Sequence, residues 1–293
     1  MLTFAMILKR NTMKRISIFF ILMMLLFCWA SCNKDNGNGS ASGTDSGAVV
    51  PQPDPDPEPT SEPAEIDFDN IDPQDPHYKD NRGSGHNVNG NRTGTISGTP
   101  WSLEQWAESS GQYSMTYYDN GTFKANWSNC SDYLVRVGFK YNNSGIDPKT
   151  KNHIADYKYT KTGNAGYGYI GAYGWTNNPI VEFYIVDDWY GKRPPYSTSC
   201  QKKGELTVDG ATYDIYTDVR TNAPSPYGAK DFLQIFSVRQ SARQQGRIHI
   251  SAHFGKWEEL GLQLGKLTEV SLLTEAGTNA VGTIEYTYFN LMD

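Results

Sequence analysis

One stretch of alternating side chains limits what this chain can fold into. Across residues 180–186, successive side chains of an extended strand would point to opposite faces. Val181, Phe183 and Ile185 make one face wholly apolar, as in a strand that covers a core. The other face carries Glu182 among apolar neighbours, a costly position for a carboxylate unless that face borders a cleft. Glu182 therefore needs a functional explanation.

Similar short segments recur along the chain and are separated by turn signals such as Asp119-Asn120-Gly121 and Asp209-Gly210. They predict strands near residues 100–107, 112–118, 122–128, 131–140, 153–160, 167–174, 179–188, 204–208, 211–220, 230–240, 246–251, 267–275 and 281–289. So many strands imply an all-β protein with two packed sheets.

One segment follows the helical period instead. Phe254, Trp257 and Leu260 are spaced so that they share one face of a helix over residues 251–260, and Gly261 is a typical stop signal. The expected fold class is therefore all-β with one α-helix.

Charge and aromatic content restrict the partners. The formal net charge of -6 argues against a surface for nucleic acid. Aromatic residues make up 13% of the chain, with 19 tyrosines, which suits a sheet whose surface stacks against the flat faces of sugar rings.

The N-terminal third is predicted to serve export rather than folding. Residues 1–32 resemble a lipoprotein-type signal peptide, with Met13 as a possible start and Cys32 as the residue that would be lipidated. An ordinary cleaved signal is the alternative. Residues 33–92 are rich in Pro, Gly and Asp and are predicted to be a disordered linker, which leaves 93–293 as the folded domain. The protein is thus expected to be secreted or anchored at the outer membrane through lipid alone.

A second carboxylate stands in a comparable position. In the strand predicted at 267–275, Glu269, Ser271, Leu273 and Glu275 share one face. Two glutamates on a curved sheet can flank one glycosidic bond, as retaining hydrolysis requires at a separation of about 5 to 5.5 Å. Surface or ion-paired glutamates are the alternative interpretation of the same pattern.

Several ordered segments carry a resemblance to a known family. They are 173–184, 212–217, 220–225, 234–241, 253–257 with 261–265, and Thr274-Glu275. In this order they resemble the motifs of glycoside hydrolase family 11 endo-1,4-β-xylanases, over essentially all of the chain after residue 93. The resemblance implies a β-jelly roll of two curved antiparallel sheets with one α-helix and a cleft for xylan or arabinoxylan.

The resemblance also implies roles for individual residues. Glu182 matches the catalytic nucleophile and Glu275 the general acid/base of a retaining mechanism, which needs no cofactor and no metal. Asp132 matches the residue beside the acid/base that modulates its pKa. The residues that match the substrate-binding positions are Trp106, Tyr173, Tyr184, Arg220, Pro224, Ser225 and Gln234.

The chain departs from the family pattern in the cleft. Pro226-Tyr227 follows the Pro224-Ser225 tip of the segment that resembles the family's thumb hairpin, and Thr268 or Glu269 stands where a cleft tyrosine is expected. These differences bear on how tightly the cleft holds sugars more than on the type of reaction.

Other sites and functions have less support. His77 and His86 are interpreted as solvated linker residues, and nothing supports a bridge between Cys130 and Cys200. A non-catalytic glycan-binding jelly roll and a hydrolase of mixed-linkage glucan or cellulose are the alternative functions. The protein is expected to be a monomer.

Overall fold

The computed structural model describes residues 62–108 and 111–293. Their strands and helix follow in this order: β1 (Gly85–Asn89), β2 (Arg92–Thr95), β3 (Ser102–Glu108), β4 (Gln112–Tyr118), β5 (Phe123–Lys140), β6 (Ile154–Asn164), β7 (Tyr167–Asn177), β8 (Val181–Asp188), β9 (Gln201–Val208), β10 (Ala211–Ala223), β11 (Lys230–Arg239), β12 (Gln245–His249), α1 (Ile250–Glu259) and β13 (Lys266–Met292). A short 3₁₀ turn at Lys79–Asn81 precedes β1.

Two layers form because the long strands β5 and β13 belong to both. The N-terminal half of β13 pairs with β7, whereas its C-terminal half pairs with β6, and β5 lies beside it throughout. The inner layer therefore runs β2-β3-β5-β13-β7-β8-β11-β10-β9, and the outer layer runs β1-β4-β5-β13-β6-β12. The predicted all-β sandwich with one helix is confirmed, with the exception that β8 and β11 pair in parallel.

The two long strands were each expected as two shorter ones. In β13 the turn signal at Thr278 and Asn279, with φ of 63° and 56°, produces a shift of register instead of a chain reversal. In β5 Asn129, with φ of 56°, lies at the corresponding bend. A bulge of this kind turns a strand from one layer into the other while the pairing continues beyond it.

The helix supports the inner layer from the core side. The ring centroid of Phe183 on β8 lies 5.2 Å from that of Phe254 and 5.7 Å from that of Trp257 on α1. Gly261, at φ 75°, follows the helix and donates its N–H to the carbonyl of Glu258. The predicted helix is confirmed to within one residue at each end, and it leaves the other face of β8 free.

The ordered part of the chain begins well before residue 92, where the linker was predicted to end. Residues 62–82, called the N-terminal strap below, lie against the outer layer, and β1 and β2 pair with β4 and β3. Asp67, Asp72 and Asp75 accept hydrogen bonds from backbone N–H groups two residues ahead, so the strap is built from turns. Composition alone does not reveal such turns, because they become ordered only against a sheet that is already formed.

Neither histidine of this region lies in a disordered linker, and of the two only His86, on β1, is exposed to solvent as predicted. His77 is half-buried, with its ring centroid 6.3 Å from that of Trp101 and 6.1 Å from that of Tyr288. His86 stacks on Tyr117 and contacts the carboxylate of Asp119.

The predicted signal peptide, the lipidation of Cys32 and the first part of the predicted linker lie outside the described residues. Across 62–108 and 111–293, no helix combines the length and apolarity that a membrane crossing requires. Cys130 and Cys200 are free thiols.

Candidate active site

The face of β8 opposite the core carries Glu182, as the alternation predicts. Phe183 and Ile185 are buried in the core between the layers, while Tyr184 and Val186 join a separate cluster on the other side of the inner layer. That side is called the cleft face below. Its aromatic floor consists of Tyr173, Trp175, Tyr184, Phe232 and Phe236.

Three side chains hold the carboxylate of Glu182, which is only 8% exposed. The hydroxyls of Tyr173 and Tyr184 donate to its Oε1 at 2.9 and 3.1 Å, and the amide of Gln234 donates to Oε2 at 2.7 Å. Gln234 is placed by the parallel pairing of β11 with β8, in which it lies directly opposite Glu182. The sequence-predicted residues Tyr173, Tyr184 and Gln234 therefore converge on one carboxylate.

Burial and hydrogen bonding act in opposite directions on Glu182. Burial raises the pKa of Glu182 above its ordinary value, because the charged form loses solvation. The hydrogen bonds from Gln234, Tyr173 and Tyr184, and then the positive charge of Arg220, favour the ionised form and limit the rise in pKa. Arg220 itself is exposed and acts on Glu182 through its charge.

Glu275 on β13 lies on the cleft face close to the carboxylate of Glu182. Leu273, two residues before it, belongs to the cleft face, and the hydroxyl of Tyr184 lies 3.3 Å from Glu275 Oε2. The same hydroxyl lies 3.1 Å from Glu182 Oε1. The distance between Glu182 Oε1 and Glu275 Oε2 therefore cannot exceed the sum of these two distances. Such a separation is compatible with the about 5 to 5.5 Å of a retaining pair and falls short of the about 6.5 to 9.5 Å of an inverting pair.

The pKa of Glu275 is raised more strongly than that of Glu182. Burial is the largest cause, followed by the negative charges of Asp132 and of Glu182, while Tyr184 and Arg136 act in the opposite direction. The stronger rise means that Glu275 keeps its proton at a pH where Glu182 has lost its own. One carboxyl is thus suited to donate a proton and the other to attack as an anion.

Asp132 lies on β5, which pairs with β13 beside Glu275. Gly277 is its direct register partner, and Leu134 is that of Glu275. Burial raises the pKa of Asp132, and a hydrogen bond from Tyr167 opposes the rise. The placement on the strand beside Glu275 agrees with the predicted position, while the modulating role stays a prediction.

Trp106 is brought to the cleft face and not to the core. Its strand neighbours Leu103 and Ala107 are buried in the core, whereas Trp106 is partly exposed on the opposite side. It pairs with Leu134, the residue opposite Glu275 on the other side of β5. An indole in this position can stack on a sugar ring beside the carboxyl pair.

Pro224 and Ser225 lie at the tip of the hairpin formed by β10 and β11, called the thumb below. Ser225 Oγ donates to the carbonyl of Gly228 at 2.6 Å and accepts the N–H of Tyr227 at 3.1 Å, which fixes the turn. The hydroxyl of Tyr227 lies 2.6 Å from Thr268 Oγ1 on β13. Because β7 and β8 separate β13 from the thumb in the inner layer, the tip reaches back over the cleft face.

Sequence reasoning missed an ion cluster on the cleft face. Arg136 contacts Glu104 on one side and Glu269 on the other. One signal was available, since Glu104 and Trp106 share a face of the predicted strand at 100–107. Among residues 62–108 and 111–293, no group of three or more His, Cys, Asp and Glu side chains is arranged to hold a metal ion.

A two-layer β-sandwich whose cleft holds one buried and one partly buried carboxyl, bridged by one tyrosine hydroxyl and flanked by aromatic rings, has the architecture of a glycoside hydrolase. The family model "Glycosyl hydrolases family 11" matches residues 99–287, and the chain belongs to this family.

The chain is similar to endo-1,4-beta-xylanase C of Fibrobacter succinogenes, with 48% identity over 216 residues. The match covers 73% of this chain and 35% of that protein. Endo-1,4-beta-xylanase S20 of Neocallimastix patriciarum is 43% identical over 204 residues, covering 68% of this chain and 60% of that protein. The chain thus spans only about a third of the length of the Fibrobacter protein. A crystal structure of a mutant ENZbleach xylanase superposes with a TM-score of 0.66 at 34% identity, covering 77% of this chain and 92% of the other.

Proposed function

We propose that this chain is an endo-1,4-β-xylanase that hydrolyses internal β-1,4-xylosidic bonds of xylan or arabinoxylan with retention of configuration. The names of the relatives support the substrate, and the site supports the mechanism. The observation that carries the proposal is the hydroxyl of Tyr184, which contacts both Glu182 and Glu275.

In the first step, Glu182 attacks the anomeric carbon as a carboxylate. A bond forms between a Glu182 oxygen and that carbon while the bond to the leaving sugar oxygen breaks, and Glu275 gives its proton to this oxygen. The raised pKa of Glu275 keeps that proton in place until it is needed. Tyr173 and Gln234 hold Glu182 by hydrogen bonds, so the carboxylate is oriented before the substrate binds.

In the second step, a water molecule replaces Glu182. Glu275, now ionised, takes a proton from the water molecule. At the same time the water oxygen bonds to the anomeric carbon and the bond between that carbon and Glu182 breaks. Both carboxyls return to their starting states, and two inversions give net retention. The stacking of a xylose ring on Trp106 would hold the sugar chain in register with the pair.

The test compares the release of reducing ends from xylan and from mixed-linkage glucan by the wild type, Glu182→Gln and Glu275→Gln. Each variant keeps the shape of the side chain but cannot act as nucleophile or as acid, so we expect losses of at least about 10²- to 10⁴-fold on xylan. Nuclear magnetic resonance of the first product should show the β-anomer.

Each alternative has its own signature in this experiment. Xylan binding without turnover by the wild type would indicate a glycan-binding module, and faster turnover of glucan would indicate a glucan hydrolase. An α-anomeric first product would contradict the retaining mechanism while leaving the xylanase activity intact.

A further inference from the structure

An ion cluster beside the two carboxyls lies on the cleft face. Arg136 on β5 donates from Nη2 to Glu104 Oε2 at 2.7 Å, and its Nε lies 3.0 Å from Glu269 Oε1. The side chains of Arg136, Glu104 and Glu269 are 11%, 19% and 6% exposed. These three residues, called the Arg136 cluster below, thus form a largely buried network and not a pair at the protein surface.

The cluster borders the groups that hold the substrate. The guanidinium carbon of Arg136 lies 5.1 Å from the ring centroid of Tyr173, whose hydroxyl donates to Glu182. Glu104 precedes Trp106 by two residues and shares its strand face. A sugar chain that stacks on Trp106 and reaches Glu182 therefore passes the cluster.

The cluster has unused acceptors and an excess of negative charge. Arg136 engages Glu104 Oε2 and Glu269 Oε1, and no other described residue donates a hydrogen bond to Glu104 Oε1 or Glu269 Oε2. Two carboxylates face one guanidinium. Lys140 lies 4.0 Å from Glu104 Oε2, but it is half-exposed and its charge is screened by solvent.

We propose that the Arg136 cluster is a specificity site that accepts hydroxyl groups of neutral sugars and rejects a glucuronic acid substituent on xylan. Carboxylate oxygens are strong acceptors for sugar hydroxyls, so an unsubstituted or arabinose-bearing xylosyl unit gains hydrogen bonds there. A uronate would bring a third carboxylate beside Glu104 and Glu269, and like charges at short range in a partly buried site repel. This proposal rests on the proposed function and names the substituents that the cleft tolerates.

The test measures kcat/KM for three xylo-oligosaccharides with the same backbone length: unsubstituted, carrying arabinose, and carrying glucuronic acid. In Glu269→Gln, one negative charge is lost while the shape is kept. We expect the ratio of glucuronic acid to unsubstituted kcat/KM to rise about threefold to tenfold, and the arabinose ratio to stay constant. In the wild type, the glucuronic acid ratio should also rise with salt, because salt screens the repulsion.

Two further variants keep the test decisive. Glu104→Gln removes the more exposed carboxylate and should shift the ratio in the same direction, even if Glu269→Gln folds poorly. Glu285→Gln is the matched control, because Glu285 pairs with Arg82 on the outer layer, far from the cleft in sheet order. It should leave both ratios unchanged.

A glucuronic acid ratio that is insensitive to both cluster variants and to salt would overturn the proposal. So would an equal loss of kcat/KM on all three oligosaccharides, which would mean that the cluster only supports the fold. If the wild type hydrolysed none of them, the proposed function would fail separately, and dissociation constants for the same oligosaccharides would still test the cluster.

Discussion

Asp132 and Glu275 lie on the paired strands β5 and β13, and the charge of Asp132 raises the pKa of Glu275. Asp132 Oδ1 is buried and has no hydrogen-bond partner among the described residues. After burial, the charge of Asp132 is the largest cause of the raised pKa of Glu275. Two acids whose charges interact in this way lose their protons in two steps that belong to the pair.

We therefore predict that Asp132→Asn moves the pH optimum upwards. If catalysis requires a proton on Asp132 as well as on Glu275, the wild type loses activity when the first of the two protons leaves, and the Asn variant has no such step. The pKa of Glu275 should fall at the same time, because the charge that raises it is gone. The profile of kcat/KM against pH and a carbon-detected titration of Glu275 measure the two effects.

Glu108→Gln provides the matched control for this pair. The charge of Glu108 raises the pKa of Asp132 without being part of the pair, so its removal should lower the pKa of Asp132 and leave the two-step titration intact. A pH profile that does not change in Asp132→Asn would show that Asp132 does not titrate with Glu275.

Among single residues, the sequence predicted those whose charged side chains lie between apolar neighbours. Glu182 and Glu275 were recognisable because each is a carboxylate on a strand with apolar neighbours. The Arg136 cluster was not, because its three members come from β3, β5 and β13, and their contact depends on the register of strands that are far apart in the chain.

The thumb is anchored on the cleft face at both its base and its tip. Its base packs on the cleft floor, where the ring centroid of Phe232 lies 5.0 Å from that of Trp175. Its tip is held by the contact between Tyr227 and Thr268, and Thr268 Oγ1 also donates to the carbonyl of Trp175 at 3.3 Å. The tip is thus fastened at the strand that carries Glu275.

We predict that Tyr227→Phe weakens substrate binding more than it slows the reaction. The variant keeps the ring but loses the hydroxyl, and a net hydrogen bond of about 0.5 to 1.5 kcal/mol corresponds to a rise in KM of about twofold to tenfold, with kcat nearly constant. Steady-state kinetics on a xylo-oligosaccharide measures both constants.

Thr268→Val removes the other partner of this contact. If the hydroxyls act together, the double variant should have a KM close to that of either single variant. Additive effects on KM would mean that Tyr227 binds the sugar directly and does not fasten the thumb.

For whole elements, periodicity was a reliable guide within a strand and a poor one where a strand bends. The helix and most strands lie where alternation and helical spacing predict them. β5 and β13 were each predicted as two strands because Asn and Gly occur both in turns and in bulges, and only the partner strand decides between the two.

The strap crosses three neighbouring strands of the outer layer, β12, β6 and β13. Arg247 on β12 donates to the carbonyls of Pro63 and Ala64 at 2.6 and 2.8 Å, and Lys158 on β6 donates to that of Phe68 at 2.6 Å. Tyr288 on β13 lies under the strap and is only 1% exposed.

The contacts of Tyr288 show how the strap covers it. Its hydroxyl donates to Asp75 Oδ2 at 2.9 Å, and its ring packs edge-on against Phe68. Residues 62–82 also lie outside the segment matched by the family model. The strap thus covers Tyr288 and seals this part of the outer layer.

We predict that removing residues 62–82 lowers the melting temperature by about 5 to 10 °C and leaves kcat/KM at 25 °C unchanged. The truncation removes several hydrogen bonds, each of which contributes about 0.5 to 1.5 kcal/mol to the free energy of unfolding, and it exposes Tyr288. For a domain of this size, each kcal/mol lost lowers the melting temperature by about 2 to 4 °C. Calorimetry and steady-state kinetics measure the two effects.

Tyr288→Phe loses only the bond to Asp75 and should show a small part of this shift. An unchanged melting temperature in the truncated protein would mean that the strap rests on the sheet without stabilising it.

Across the whole molecule, length and alternation were sufficient to predict a two-layer β-sandwich. They did not predict the strap, because its order depends on side chains of β6, β12 and β13 and not on its own composition.

The strand β13 connects the cleft to the contact with the strap. β13 carries Glu275 in its first half and Tyr288 in its second, so catalysis and the outermost contact share a continuous backbone. The two halves cannot melt independently without breaking the ladder that β13 forms with β5. Thermal inactivation should therefore coincide with cooperative unfolding, with no inactive but folded intermediate between them.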